Sequence, residues 1–347
     1  MTIQQLLKTA PVTTLLLASF IGLFVMQLVT GVDANNPSTE ALVKWGANAL
    51  PLTMMDDPWR LVSSAFLHIG LMHLLFNGFA MYFFGQIAEP MFGSAKFLAL
   101  FLLAAIGGNL LNNYVTWHSI LDGTGQPGLS AGASGGIMGI GAALLIVARF
   151  KISVNGMMLN LKSLIIIMAI NLVYGFAVPG IDNAGHIGGA ITGLLIALPI
   201  ALVYRKRELA QQAAMAQAQQ AYQNAVQASY ASNHQPSYQN QTSLHDNQRG
   251  NPPLTNIFAD NNIQTPVDLN NTADTADFDQ SGGYINNYPI NNYPTYIDPK
   301  KFAPEPVNVS LIWRLLPWLV MVVIVIGFLW WWQDIHQQIL QVLKAIE

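Results

Sequence analysis

The chain has 347 residues, 52% of them hydrophobic and only 10% charged, with a formal net charge of -3 and a mean hydropathy of +0.37. A typical soluble domain carries about 25% charged residues, so an ordinary soluble enzyme and a basic nucleic-acid binder are both excluded, and no nucleic-acid partner is expected. With no cysteine, a disulfide scaffold, a thiolate metal site and a cysteine nucleophile are excluded too. The apolar excess must face lipid.

A helix crosses a hydrocarbon core of about 30 Å in roughly 20 apolar residues, and charge-free windows of that length locate the spans. Lys8 to Asp33 brackets 24 uncharged residues, Arg60 to Glu89 28, Lys96 to Asp122 25, Asp122 to Arg149 26, Lys162 to Asp182 19, Asp182 to Arg205 22, and Arg314 to Asp334 19. These windows predict seven spans, near residues 10–31, 66–88, 95–116, 133–150, 162–179, 185–204 and 312–332. The first is too long for the apolar region of a signal peptide, which runs about 7–15 residues. The expected fold is an all-α polytopic membrane protein: a six-helix bundle plus one additional C-terminal transmembrane helix.

Positive loops stay cytoplasmic. Lys8, Lys96, the group Arg149, Lys151 and Lys162, and the group Arg205, Lys206 and Arg207 fall on one side; the alternate loops hold only Lys44 and Arg60. The N-terminus is therefore expected inside, the C-terminal tail outside, and spans 2, 4 and 6 start at the same outer level. This topology fits a bacterial inner membrane; the Lys/Arg bias fits an organelle membrane as well.

Three segments follow: a six-helix domain over 1–207, a polar linker over 208–308, and a seventh helix with a short tail over 309–347. Residues 209–308 hold 28 Asn plus Gln, with the near-repeats Ile285-Asn-Asn-Tyr-Pro and Ile290-Asn-Asn-Tyr-Pro. Such a segment buries too little apolar area to offset its ordering entropy, so most of it is expected to be disordered. Its first part, Arg205 to about Ala231, is rich in Ala and Gln and fits an extension of helix 6 into water. Span 7 carries Trp313, Trp318, Trp330, Trp331 and Trp332 near its ends, as interface anchors do. Beyond it Ile335, Ile339, Leu343 and Ile346 recur at helical spacing, which predicts a short helix lying on the outer leaflet.

Polar residues within spans need a partner or a wet cavity. Gly132-Ala133-Ser134-Gly135 is a glycine-rich turn entering span 4. It offers a hydroxyl beside free helix N–H groups suited to an oxyanion; the same serine fits a helix N-cap. His186 opens span 6 and fits either a general base or a headgroup-facing histidine. Gly189 and Gly193 make a small-xxx-small face, matched on span 4 by Gly135 and Gly139, which would draw the two helices together. His73 and Asn77, four apart on span 2, share one face. They fit hydrogen-bond donors to an anionic oxygen or a pair that only holds the bundle. His68 reads as structural, and His118 as a loop residue. Ser134 lies 15 residues from Arg149, His73 16 from Glu89 and His186 19 from Arg205, which at about 1.5 Å per residue sets them about 22–28 Å above the inner face. Asn77 falls at about 18 Å.

This motif set, His73-x-x-x-Asn77, Gly132-Ala-Ser134-Gly135 and His186-x-x-Gly189, resembles the rhomboid family of intramembrane serine proteases over roughly residues 10–205, with Trp59-Arg60 similar to that family's outer-loop pair. The resemblance implies a six-helix rhomboid protease domain, Ser134 as nucleophile and His186 as base. It further implies His73, Asn77 and the Ser134 N–H as oxyanion hole, and transmembrane protein substrates cut near their outer ends. Two positions depart from the pattern: Gly185 stands where many members have alanine, and Met138 where many bacterial members have tyrosine, implying a looser seat for His186. A serine and a histidine suffice chemically, so neither a cofactor nor a metal is expected. The partners expected are membrane lipids and transmembrane substrates. The rival readings are a non-catalytic rhomboid-like adaptor that binds transmembrane helices and a small transporter; the former would usually lack the serine or histidine, and the latter would want mid-span charges. Span 5 and the Val178-Pro179-Gly180 turn are the expected moving parts.

Overall fold

The computed structural model describes residues 3–126, 128–152, 159–177, 182–233 and 296–346. The Asn-Asn-Tyr-Pro repeats, the disorder expected around them and the Val178-Pro179-Gly180 turn lie outside these residues. Helices dominate: α1 Ile3–Thr9, α2 Pro11–Val29, α3 Thr39–Lys44, α4 Leu50–Met55, α5 Arg60–Ser63, α6 Leu71–Phe92, α7 Ser94–Leu121, α8 Ser134–Arg149, α9 Leu161–Ala177, α10 Asn183–Asn233 and α11 Leu311–Ile346. Two short strands, β1 Asn48–Ala49 and β2 Leu129–Ser130, pair antiparallel, with Asn48 opposite Ser130. Among the described residues five helices (α2, α6, α7, α10 and α11) are long and apolar enough to cross a membrane; α8 and the start of α9 are apolar but shorter. The chain is an all-α polytopic membrane protein.

Residues Met1–Glu208 and Asn308–Glu347 form one compact unit and Leu209–Val307 a second. In the first, α8 is the central element, packed against α6, α7 and α9. Its run from Gly136 to Leu144 is buried without interruption. Glycine and alanine at 135, 136, 139, 141, 142 and 143 let neighbouring backbones close in. Phe20, Phe92, Phe97, Phe101, Leu100 and Met81 fill the space around it.

The end of the bundle where α2 begins is tied by Glu89, which is 1% exposed. Its carboxylate accepts the Val12 N–H (2.9 Å), the Thr13 N–H and hydroxyl (2.7 and 2.8 Å) and the Ser94 hydroxyl (2.6 Å). The first N–H groups of α2 thus receive an anionic cap from another helix. At the far end of α2, Asp33 accepts the Asn35 and Asn36 N–H groups (2.7 and 2.8 Å), which hold its carboxyl below the ordinary value.

Three boundaries differ from the sequence reading. Span 2 starts at Leu71 rather than 66: a short 3-10 turn over Ser64–Phe66 ends in extended Leu67, and Gly70 at φ +156° redirects the chain, so His68 lies in the turn. Span 3 continues to Leu121, putting His118 on α7 with its ring 4.3 Å from that of Tyr114. The helix carries on through Thr116–Leu121 until Gly123 turns at φ +68°.

The third difference is the tail. Among the described residues no separate helix follows span 7; α11 runs unbroken through Ile346. Ile335 and Ile339 are 0% and 7% exposed, buried with Leu50, Met54, Leu61, Leu110 and Trp117. The Trp332 indole donates to the Thr53 carbonyl (3.0 Å), His336 Nδ1 lies 2.7 Å from the Met54 carbonyl oxygen, and the Trp117 indole donates to Gln338 (3.1 Å). An apolar stripe can be buried in lipid or in protein; here α4 and α7 supply the cover, while Leu343 and Ile346 remain exposed.

In the second unit, α10 continues to Asn233, the Ala/Gln extension of helix 6. Asp298 caps a 3-10 turn over Pro299–Phe302 by accepting the Lys300 N–H (2.9 Å), and Phe302 packs edge-on to Tyr222 at 5.7 Å.

Candidate active site

Ser134 is the first residue inside α8; the N-cap is Ala133, so the serine hydroxyl is one position past the capping place. The approach is built on Gly132, at φ +140°, whose N–H donates to the Ser64 carbonyl (2.9 Å). Ser64 is held in turn by Asn109, whose amide donates to the Ser64 hydroxyl and the Leu61 carbonyl, both at 2.8 Å. The segment entering α8 is therefore hung from α7 through the turn that precedes α6.

His73 closes on this loop. A Cβ at Gly132 would stand 2.6 Å from Cε1 and 2.9 Å from Nε2 of the His73 ring, so only glycine fits there. The Ile69 N–H donates to His73 Nδ1 (3.4 Å). A neutral ring that accepts at Nδ1 carries its proton on Nε2, and Nε2 is the nitrogen beside the serine loop. Asn77, 5% exposed, sits one turn further along α6 and donates one amide hydrogen to the His73 carbonyl (3.0 Å), leaving the second for another acceptor. His68, 1% exposed, is wedged between the rings of Phe20 (5.2 Å) and His73 (5.4 Å), and neither of its ring nitrogens has a partner among the described residues.

His186 lies in the first turn of α10, 8% exposed. Its Nδ1 is buried with no hydrogen-bond partner among the described residues. The α10 start is capped by Asp182: its carboxylate accepts the Gly185 N–H (2.6 Å) and the Ser130 hydroxyl (2.6 Å), and its carbonyl accepts the His186 N–H (3.1 Å).

The four packing glycines face one another. A Cβ added to Gly189 would fall on the Gly135 carbonyl oxygen, one added to Gly193 on the Gly139 carbonyl oxygen, and one added to Gly139 would stand 2.9 Å from the Gly189 carbonyl oxygen. α8 and α10 thus meet backbone to backbone, within one residue of Ser134 and three of His186. A cavity opens beside this contact, lined by Ser134, Gly135, Gly185, Ser130, Asp182 and Asn109 among others. Met138, 7% exposed, is part of the main core.

Trp59 and Arg60 do not line this cavity. Arg60, 6% exposed, donates to Asp57 (3.0 Å) and to the Val43 and Ala47 carbonyls (2.6 and 3.2 Å), with its guanidinium 4.7 Å above the half-exposed Trp59 ring. They organise the loop between α3 and α5, not the serine loop itself.

Residues 55–202 match the family model described as Rhomboid domain. This stretch of the chain is thus similar to a rhomboid domain. The chain is 40% identical over 197 residues to "Rhomboid protease GluP" of Bacillus subtilis, covering 55% of this chain and 36% of that protein. It is 35% identical over 185 residues to "Rhomboid protease AarA" of Providencia stuartii (49% and 65%), and 32% identical over 183 residues to "RHOMBOID-like protein 1" of Arabidopsis thaliana (52% and 44%). The match thus spans between 36% and 65% of these relatives' lengths.

Three members of the polar framework around this cavity were not singled out from sequence: Asp182, Ser130 and Asn109. Asp182 served only to mark the end of a charge-free window. Its position before a helix start is an N-cap signal, and that could have found it. Ser130 and Asn109 carry no comparable local signal.

Proposed function

We propose that this chain is an intramembrane serine endopeptidase with Ser134 as nucleophile and His186 as general base. One observation carries the reading: α8 and α10 approach so closely that no Cβ fits at Gly139, Gly189 or Gly193, and the cavity beside that contact is bordered by Ser134 and by Gly185, the neighbour of His186. His186 takes the Ser134 proton as Oγ attacks a substrate carbonyl, and returns it to the leaving amine. The oxyanion falls among the Ser134 N–H at the α8 N-terminus, the His73 Nε2–H and the free Asn77 amide hydrogen. Water enters by the same cavity and His186 activates it to release the acyl group. The lone Nδ1 of His186 supports a dyad, since no carboxylate grips it among the described residues.

The substrates are transmembrane proteins, cut near their outer ends. α8, with 16 residues, is about 24 Å long, shorter than a hydrocarbon core of about 30 Å, which supports a serine sunk below the outer surface. A substrate helix must unwind there, because helical carbonyls are engaged. The N-terminus faces the cytoplasm and α11 ends outside, in a bacterial inner membrane.

The test is Ser134→Ala against wild type in liposomes with a model transmembrane substrate. Loss of cleavage with retained substrate binding is expected, and a serine-directed fluorophosphonate should label wild type but not His186→Ala. Undiminished cleavage by Ser134→Ala would refute the assignment.

A further inference from the structure

Four residues ahead of each member of the dyad stands a polar residue that the chemistry above leaves unused: Ser130 before Ser134, and Asp182 before His186. The Ser130 hydroxyl donates to one oxygen of the Asp182 carboxylate at 2.6 Å, while the other oxygen accepts the Gly185 N–H at 2.6 Å. The Asp182 carbonyl accepts the N–H of His186 itself. Asp182 therefore holds two consecutive N–H groups of the first turn of α10, and through Ser130 it grips the segment leading to the nucleophile. That segment is fixed from behind: Ser130, 9% exposed, pairs with Asn48 in the two-stranded ladder, and the Gly132 N–H is bonded to Ser64. A short, partly buried O–H···carboxylate bond is among the stronger hydrogen bonds.

We propose that Ser130 and Asp182 form a latch that sets the register of the serine loop against the histidine helix. Both are positioning residues, and the inference rests on Ser134 and His186 being the dyad. Asp182 works through backbone and loop and not through the imidazole, whose Nδ1 it does not bond. Gly185 belongs to the device: a Cβ there would press on the Asp182 carboxylate, so glycine in place of the family's frequent alanine leaves the latch its room.

The experiment measures kcat, KM and the thermal midpoint of the full chain in liposomes with a model transmembrane substrate, for wild type, Ser130→Ala, Asp182→Ala, the double variant and Asp182→Asn. Each alanine variant should lose roughly tenfold to a hundredfold in kcat, the scale on which a small misplacement of reacting groups acts, with KM unchanged. The double variant should be no worse than Asp182→Ala, because the two residues act as one unit. Asp182→Asn keeps the acceptor for Gly185 and offers an N–H to Ser130, so it should stay within a few-fold of wild type. Additive losses, or a change confined to KM, would overturn the latch. Should Asp182→Ala fail to fold, Ser130→Ala decides alone: reduced kcat at an unchanged midpoint supports the latch, and full kcat overturns it. Cleavage persisting in Ser134→Ala would instead overturn the dyad reading beneath it.

Discussion

The carbonyl oxygen of Gly135 occupies the place where Gly189 would carry a side chain. The contact lies one residue past Ser134 and three past His186, so the helix–helix spacing and the serine–histidine spacing cannot be changed independently. Glycine is required on one side of this contact more than on the other: a Cβ on Gly135 would meet nothing nearer than the Gly185 carbonyl oxygen, at 3.4 Å.

Gly189→Ala should therefore separate α8 from α10 and cost about 1–3 kcal/mol of stability, the usual cost of overpacking, with most of the cleavage activity. Gly135→Ala should be close to neutral in stability. Thermal unfolding of the two variants side by side, with cleavage rates in liposomes, checks the asymmetry. Equal effects would mean that the helices have more freedom than their backbone contact indicates.

His73→Ala and Asn77→Ala should each slow cleavage, by about 10²–10³-fold for a fully engaged oxyanion donor. The Asn77 effect should be the smaller, because one of its amide hydrogens is already spent on the His73 carbonyl. Gly132→Ala should match His73→Ala, since the new methyl would drive the ring aside and the residue would be held at an unfavourable φ of +140°. Single-turnover cleavage and fluorophosphonate labelling rates give the comparison; a silent Gly132→Ala would remove His73 from the serine loop.

The sequence shows most of the architecture, because lipid imposes a coarse rule: the charge-free windows mark every helix from α2 and α6 through α11. It shows less of the polar framework, and for one reason. In sequence the charges only mark the ends of the windows, whereas Glu89 is a buried cap for α2 and Asp182 a cap for α10. A carboxylate that ends a window looks the same in sequence whether water or another helix's N–H groups satisfy it. The tail of α11 failed to show for a related reason. The spacing of Ile335 and Ile339 reveals an apolar stripe but not whether lipid or α4 covers it. On the site itself, the fourfold spacing of Gly135/Gly139 and Gly189/Gly193 was visible, while the turn that puts His68 outside α6 depends on Gly70, whose φ only the backbone displays.

Glu89→Gln should destabilise the whole bundle. The carboxylate accepts four hydrogen bonds from Val12, Thr13 and Ser94. A carboxamide turns one acceptor into a donor facing donors, at a cost of roughly 2 kcal/mol for the stranded buried groups. Thr13→Ala removes only the hydroxyl bond and should cost about 1 kcal/mol. Thermal midpoints of both variants, read with the cleavage rate at a temperature where each is fully folded, separate a stability effect from a catalytic one. The rate should be little changed there, since this cap lies at the opposite end of α6 from His73.

Ile335→Ala should loosen α11 from the segment that holds α4 and α5. The side chain is fully buried among Leu50, Met54 and Leu61, and truncating such a residue costs about 2–5 kcal/mol when the site cannot collapse. The loss should appear locally: amide exchange in α4 and α5 should speed up, because Trp332 and His336 also reach the Thr53 and Met54 carbonyls from the same helix face. Exchange in α8, which contributes no side chain to the cluster around Ile335, should stay slow. If α4 exchanged at the wild-type rate, the tail would be an adornment of that segment and not its support, and the contact between α11 and α7 would have to hold the seventh helix unaided.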